Sequence, residues 1–178
     1  MTASKLIKPS IDYKESYLEA LAEYQAEGID KHLNLKTLRH EFDKFIDDRL
    51  HSRSHSFDSF PDWVEIVPET ELWLVKNEEY IGTVEIRHRL NWHLEKWGGH
   101  ISFIIRPSKR GIGYGRKLLN KAIPYAEALG IENALLTVKP DNGIAISIIE
   151  KCGGVFEGEH AGTERFPPHK SYWLNCRK

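Results

Sequence analysis

Residues Arg110 to Arg116 read Arg-Gly-Ile-Gly-Tyr-Gly-Arg, with glycines at alternate positions and an arginine at each end. Glycine accepts φ > 0 and lets successive main-chain N–H groups converge on one point. The stretch follows a short apolar run, His100 to Arg106, closed by Pro107. It precedes residues at helical spacing: Leu118, Leu119, Ala122, Tyr125, Ala126 and Leu129. A turn placed there adds the free N–H donors and positive dipole end of the following helix. Arg110 and Arg116 offer guanidinium partners to anionic oxygens. The chemistry on offer is retention of a phosphate or diphosphate, and an ordinary strand–helix turn is the competing reading. A P-loop requires Gly-Lys-Ser/Thr where Tyr114-Gly115-Arg116 stands. A dinucleotide fingerprint counted from Gly111 requires Gly or Ala where Arg116 stands, and Glu132 precedes the next strand instead of ending it. What remains is Arg110-x-x-Gly113-x-Gly115.

Other reactive side chains give weaker signals. The only cysteines are Cys152 and Cys176, without a CxxC pair, which excludes a disulfide scaffold and a thiol-rich zinc site and fits a reducing cytoplasm. Cys152 lacks an evident base and reads as a buried helix residue. His51 and His55 share i, i+4 spacing but sit in a Ser-rich stretch with no Glu between them, so no metal is expected. Trp92 and Trp97 either wall an acceptor pocket or cover a hairpin.

The elements that must position these residues follow from periodicity. Leu6-Ile7-Lys8-Pro9 reads as an edge strand. Asp12 to Glu27 has Tyr13, Tyr17, Leu21 and Tyr24 at helical spacing, with Asp12 as cap and Gly28 as stop. Leu35 to Leu50 reads as a second helix capped by Asn34. His51 to Asp62 is a Ser-rich loop, longer than an ordinary connection. Glu71 to Lys76 and Tyr80 to Arg87 form a β-hairpin about Asn77-Glu78-Glu79. His100 to Arg106 is a strand, Gly113 to Leu129 a helix strained by Pro124, and Ala134 to Val138 a buried strand. Ile144 to Cys152 is a helix, and Val155 to Glu159 and Ser171 to Cys176 are closing strands. Strand 100–106, helix 113–129 and strand 134–138 form a β-α-β unit, whose default connection is a right-handed parallel crossover.

The chain has 178 residues, 40% hydrophobic and 29% charged, with a formal net charge of −1. That length fits one domain, 1–178, able to bury its own core, with N-terminal helices and a loop over 1–62 and an α/β core over 71–178. Near-neutrality argues against nucleic acid or an anionic membrane as partner. No apolar stretch approaches the ~20 residues of a membrane span, and the first residues, Met1 to Lys8, show no export signal. The expected location is cytoplasmic.

From Trp73 to Phe156 the chain resembles the GNAT superfamily of acyl-CoA-dependent N-acetyltransferases. The resemblance is densest in GGHISFIIRPSKRGIGYGRKLL (98–119), GIENALLTVKPDNGIAISIIEKCGGVFEG (130–158) and SYWL (171–174). With EIRHRLN ahead of GGHISF, it is similar to a bacterial branch of predicted acetyltransferases. The resemblance implies an α/β fold: a mixed, mostly antiparallel twisted sheet with a central parallel β-α-β unit and flanking helices. It implies acetyl-CoA as co-substrate and no metal. The backbone of Phe103, Ile104 and Ile105 would pair with the pantetheine arm like an added strand. The N–H groups of Gly111, Ile112, Gly113, Tyr114, Gly115 and Arg116 would hold the diphosphate. Asn142, otherwise a turn residue, would contact the cofactor, helped by Ser147. Many members carry a tyrosine seven residues after that Asn to protonate the leaving thiolate, and Ile149 stands there.

The implied reaction is attack of an amine on a thioester. An alkylammonium of pKa ~10.4 must first lose a proton. A backbone N–H of strand 100–106 would meet the oxyanion, and a thiol of pKa ~8.5 can leave without strong acid help. Candidate bases are Glu85 and His100, then His88; Glu85 can equally be a solvated strand residue and His100 a structural one. The acceptor, small molecule or protein, stays open, as does a homodimer. Ile149 keeps a non-catalytic acyl-CoA-binding regulatory module in view, and nucleotide binding is a third reading.

Overall fold

The computed structural model describes residues 3–51 and 65–177. The Ser-rich loop expected over 51–62 therefore falls, from 52 on, outside the described residues. The first sheet contains β1 (Lys5–Ile7), β2 (Glu69–Lys76), β3 (Glu79–Arg87) and β4 (Ile101–Ile105), antiparallel and in chain order. The second contains β5 (Asn133–Val138), β7 (His169–Asn175) and β6 (Val155–His160), also antiparallel, with β7 in the middle. The β2–β3 hairpin turns through Asn77 and Glu78, both at positive φ (48° and 65°), the twist that two-residue hairpin loops favour.

Alternation along the first sheet gives it two apolar faces. Leu72, Leu74, Val84, Ile86, Ile101 and Ile105 face α5 (Tyr114–Ala128), whose Leu118, Leu119, Ala122 and Ala126 complete a core shared with the second sheet. Trp73, Val75, Tyr80 and Ile104 face α1 (Lys14–Ala26), α2 (Leu35–His40) and α3 (Phe42–His51). The centre of that second core is the fully buried Trp73, stacked on Tyr17 at 4.8 Å and met edge-on by Tyr80 at 5.2 Å. Burying an indole is worth on the order of 4 kcal/mol from area alone, enough to hold α1 against the sheet. α6 (Gly143–Lys151) lies beside α5.

Several expectations change. The helix expected over 35–50 is two helices, broken at Glu41 (φ −115°, ψ 32°), although Asn34 does cap the first by accepting from the Lys36 and Thr37 N–H groups. Ser10, not Asp12, caps the N-terminal segment, over a 3-10 turn (Ile11–Tyr13) that delays α1 to Lys14. The aromatic segment after β3 contains a short helix, α4 (Trp92–Lys96), capped by Asn91. α5 runs through Pro124. The central parallel β-α-β unit is not formed as a ladder: β4 and β5 belong to different sheets, and every strand pair is antiparallel among the described residues.

Candidate active site

The parting of β4 from β5 is the central feature of the site. On one edge β4 pairs with β3, and the bonds Arg87 N–H to His100 O (2.8 Å) and Arg106 N–H to Ile81 O (2.9 Å) set the pattern. Antiparallel alternation then points the main-chain groups of Ser102 and Ile104 at β3, and those of Ile101, Phe103 and Ile105 at the other edge. Ile104 is thus placed with its backbone turned away from that edge and its side chain in the second core. Along the outer edge the two sheets touch at His100, whose N–H donates to Leu135 O at 2.7 Å. Beyond it the backbone of Phe103 and the N–H of Ile105 take no protein partner among the described residues, and Ile105 O accepts from Arg110 Nε at 2.9 Å.

The glycine turn lies at the far end of this edge. Gly111 (φ 77°) and Gly113 (φ 88°) are left-handed, and a Cβ on either would meet nothing within 4 Å, so conformation and not crowding requires glycine there. Gly115 is different: a Cβ there would press on Ile148 Cδ1 at 2.6 Å, so this glycine lets α5 and α6 approach. The first main-chain N–H of the helix to find an acceptor is that of Lys117, bonded to Gly113 O. The N–H groups of Gly111, Ile112, Gly113, Tyr114, Gly115 and Arg116 have none among the described residues. Six consecutive free donors at a helix start form an anion cradle. The structure thus fits a bound diphosphate with an extended arm along β4.

Arg110, expected as a phosphate partner, bonds protein groups through Nε and Nη1. Its guanidinium reaches back to Ile105 O and to Glu27 Oε1 at 2.8 Å, bracing the turn from below. Arg106 pairs with Glu23 at 2.7 Å and Glu19 at 3.1 Å, and Ser108 N–H donates to Glu23 at 2.9 Å. Burial would raise the Glu23 pKa, but the bonds from Ser108 and Arg106 outweigh it and hold the carboxyl below its usual range. Glu19, Glu23 and Glu27 recur every four residues, one stripe at the α1 surface clasping the β4–α5 connection.

On α6, Asn142 is the N-cap, its Oδ1 accepting from Ala145 N–H at 3.1 Å, and Ser147 is half-buried. Ile149 is 2% exposed and packed in the first core. Burial raises the Cys152 thiol pKa, against the pull of Arg116.

The face of the first sheet toward α3 carries the acid–base groups. Glu71 stands opposite Glu85, Glu85 opposite Ser102, and Glu69 opposite Arg87. Ser102 Oγ donates to Glu85 at 2.9 Å, and Arg87 Nη2 lies 3.6 Å from the same carboxylate. Arg49, from α3, bonds Glu71 at 2.6 Å, and Glu71 also accepts from Trp73 Nε1. Side-chain exposure separates the carboxylates: Glu69 2%, Glu71 1%, Glu85 24%. Only Glu85 of these three is open to an incoming group. His88 is bonded to Thr70 on the opposite face, and burial lowers its pKa. His100 Nδ1 accepts the Leu135 N–H at 2.9 Å, and burial, then Arg87, push its pKa down to about 4. With that lone pair occupied and Nε2 protonated, the neutral ring presents no free lone pair for the proton of an amine, which argues against His100 as the base. Trp92 packs on Phe166 in the β6–β7 connection, and Trp97 on His169 at the start of β7. Among the described residues no group of three or more His, Cys, Asp or Glu could hold a metal ion, and no helix is long and apolar enough to cross a membrane.

Sequence reading missed Arg49, Glu71, Arg87 and Ser102. The only early signal was the alternation of charge in Glu69-x-Glu71 and Glu85-x-Arg87.

Comparison with known proteins identifies the family and the fold. The model of the acetyltransferase (GNAT) family matches residues 34–154, more than half of the chain. The protein belongs to the GNAT acetyltransferase family and is on that ground an acyltransferase using acetyl-CoA. Among solved structures, the microcin C7 self-immunity acetyltransferase MccE, in complex with acetyl-CoA and AMP, superposes with a TM-score of 0.67 at 14% identity, over 97% of this chain and 92% of that one. A GNAT-family acetyltransferase from Streptococcus pneumoniae gives 0.59 at 18% identity, over 97% and 99%. The spermidine N-acetyltransferase of Vibrio cholerae, in complex with CoA and spermine, gives 0.57 at 18% identity, over 97% and 95%. At these identities the likeness is one of fold. No protein of curated function matches in sequence.

Proposed function

We propose that the protein transfers the acetyl group of acetyl-CoA to a primary amine by direct attack. The observation that carries this reading is the run of six free amides, Gly111 to Arg116, at the end of the unpaired edge of β4. The amides hold the diphosphate, the outward groups of Phe103 and Ile105 pair with the pantetheine arm, and Asn142 and Ser147 flank the cofactor from α6. The acceptor approaches from the α1–α3 side, where Glu85 attracts its ammonium form; one proton passes to bulk water, and the neutral amine attacks. As the C–N bond forms and the C–S bond breaks, the pKa of the attacking nitrogen falls far below ~10.4, so an ordinary carboxylate can take its proton. The thiolate leaves unaided, as its moderate basicity allows. Ile149 fits that route, because no hydroxyl is offered from its position.

Ile149 equally favours a second reading, a non-catalytic acyl-CoA-binding regulatory module. Free-thiol release from acetyl-CoA across a panel of polyamines, amino acids, aminoglycosides and peptides separates the two. Polyamines belong on the panel because spermidine N-acetyltransferases share the fold. Release with at least one amine is expected; tight acetyl-CoA binding without release from any of them would favour the module.

A further inference from the structure

Where two neighbouring strands part, the main-chain groups at the vertex still need partners. His100 supplies both at Leu135: its own N–H meets the Leu135 carbonyl at 2.7 Å, and its ring Nδ1 accepts the Leu135 N–H at 2.9 Å. The imidazole thus stands in for the carbonyl that a β4 ladder would have offered to that amide. The neighbouring residues hold it there. Gly99 is left-handed (φ 63°), and a Cβ on it would run into the Leu135 carbonyl, so only glycine allows this approach. Arg87 Nη1 donates to the Gly98 and Gly99 carbonyls, each at 3.3 Å, and Gly98 N–H donates to Thr137 Oγ1 at 2.9 Å. Beyond the vertex no main-chain hydrogen bond joins β4 to β5 among the described residues, and the Phe103 backbone and the Ile105 N–H lie open there.

We infer that His100 is a positioning residue: its ring clasps Leu135, fixes the point at which the two sheets diverge, and so sets how the pantetheine arm pairs with Phe103 and Ile105. The inference rests on the acetyl-CoA reading above. His100 acts through β4 and not on the reacting atoms.

The test compares His100→Leu, which removes the acceptor at similar volume, with His100→Asn, whose Oδ1 retains one. Acetyl-CoA and adenosine 3′,5′-diphosphate, which lacks the arm, are titrated calorimetrically into each protein. Losing the acceptor for a buried amide is expected to weaken acetyl-CoA binding about tenfold in H100L, with adenosine 3′,5′-diphosphate unchanged and H100N restoring most of the loss. Hydrogen exchange at the Leu135 amide should quicken in H100L and slow again in H100N. If H100L does not fold, His100→Ser replaces it, since its hydroxyl is too short to reach Leu135. Equal losses for both ligands, no loss of acetyl-CoA affinity, or a folded H100N that fails to rescue would overturn the clasp. If the wild-type protein binds no acetyl-CoA, the coenzyme reading itself fails, while Leu135 exchange still reports on the clasp.

Discussion

Gly113→Glu places a carboxylate inside the proposed diphosphate cradle. Gly113 has φ 88° and caps α5, and its Cβ direction is free to 4 Å, so the new side chain meets no steric block. The left-handed backbone costs a non-glycine residue roughly 1–2 kcal/mol, which a domain stable by about 5–15 kcal/mol survives. The electrostatic effect on binding is larger. Two unit charges 4 Å apart repel by about 1 kcal/mol in water and about 4 kcal/mol at an effective dielectric of 20. A turn open to solvent on one side lies between these limits. A loss of about 2–4 kcal/mol, or some 30- to 1,000-fold in acetyl-CoA affinity, is therefore expected. Calorimetry measures the affinity, and urea denaturation verifies the fold. Gly113→Ala separates the causes, because it carries the same backbone strain without the charge and should lose far less. Wild-type affinity in G113E would refute the cradle, and equal losses in the two variants would refute the charge argument.

Other outcomes follow from the same contacts. Glu85→Gln should lower kcat/KM about 10²-fold, most strongly below the pKa of the amine, with acetyl-CoA affinity unchanged; an unaltered pH–rate profile would clear Glu85 of the proton. Arg49→Ala leaves the buried Glu71 carboxylate without its guanidinium and should cost about 3–5 kcal/mol in urea denaturation; a loss under about 1 kcal/mol would mean that Trp73 and water suffice. The pKa of His100 lies near 4 in the folded protein against 6.5 unfolded, so the fold favours the neutral ring. That preference costs nothing above pH 6.5, and stability drops as pH falls from 6.5 toward 4, by at most about 3 kcal/mol. His100→Asn should remove this part of the pH dependence, and the same slope in both proteins would contradict it. Ile149→Tyr should destabilise by about 1–3 kcal/mol through overpacking and leave the rate unimproved, whereas a faster enzyme would show that a hydroxyl from this position reaches the leaving sulfur.

The glycine turn was legible because its determinants are local: three glycines, a strand before them and a helical apolar stripe after. The hairpin, α5 and both closing strands were legible for the same reason. What escaped depends on contacts between residues far apart in sequence. An unbulged hairpin about Asn77-Glu78 would set Glu71 opposite Val84, but Ile81 is the extra residue of a bulge near Leu74 and Val75, which moves Glu85 onto the Glu71 face. No pattern within either strand reveals this. The expected β4–β5 ladder is absent, and the bond between the His100 ring and the Leu135 amide, 35 positions apart, has no signal in the local pattern. The bond from Arg110 to Glu27, 83 positions away, has no signal in the sequence either. The break at Glu41 lies inside an uninterrupted helical stripe, so periodicity passed over it.

The acidic stripe of α1 also ties together two regions that otherwise share little. Glu19, Glu23 and Glu27 grip Arg106, Ser108 and Arg110, while the opposite side of the same helix seats Tyr17 against Trp73 above the carboxylates. One rod therefore braces both the glycine turn and the helix-facing wall of the first sheet. Salt weakens these charge pairs, and so loosens the anchorage of the glycine turn, more at the half-exposed Arg110–Glu27 pair than at the buried Arg106 guanidinium.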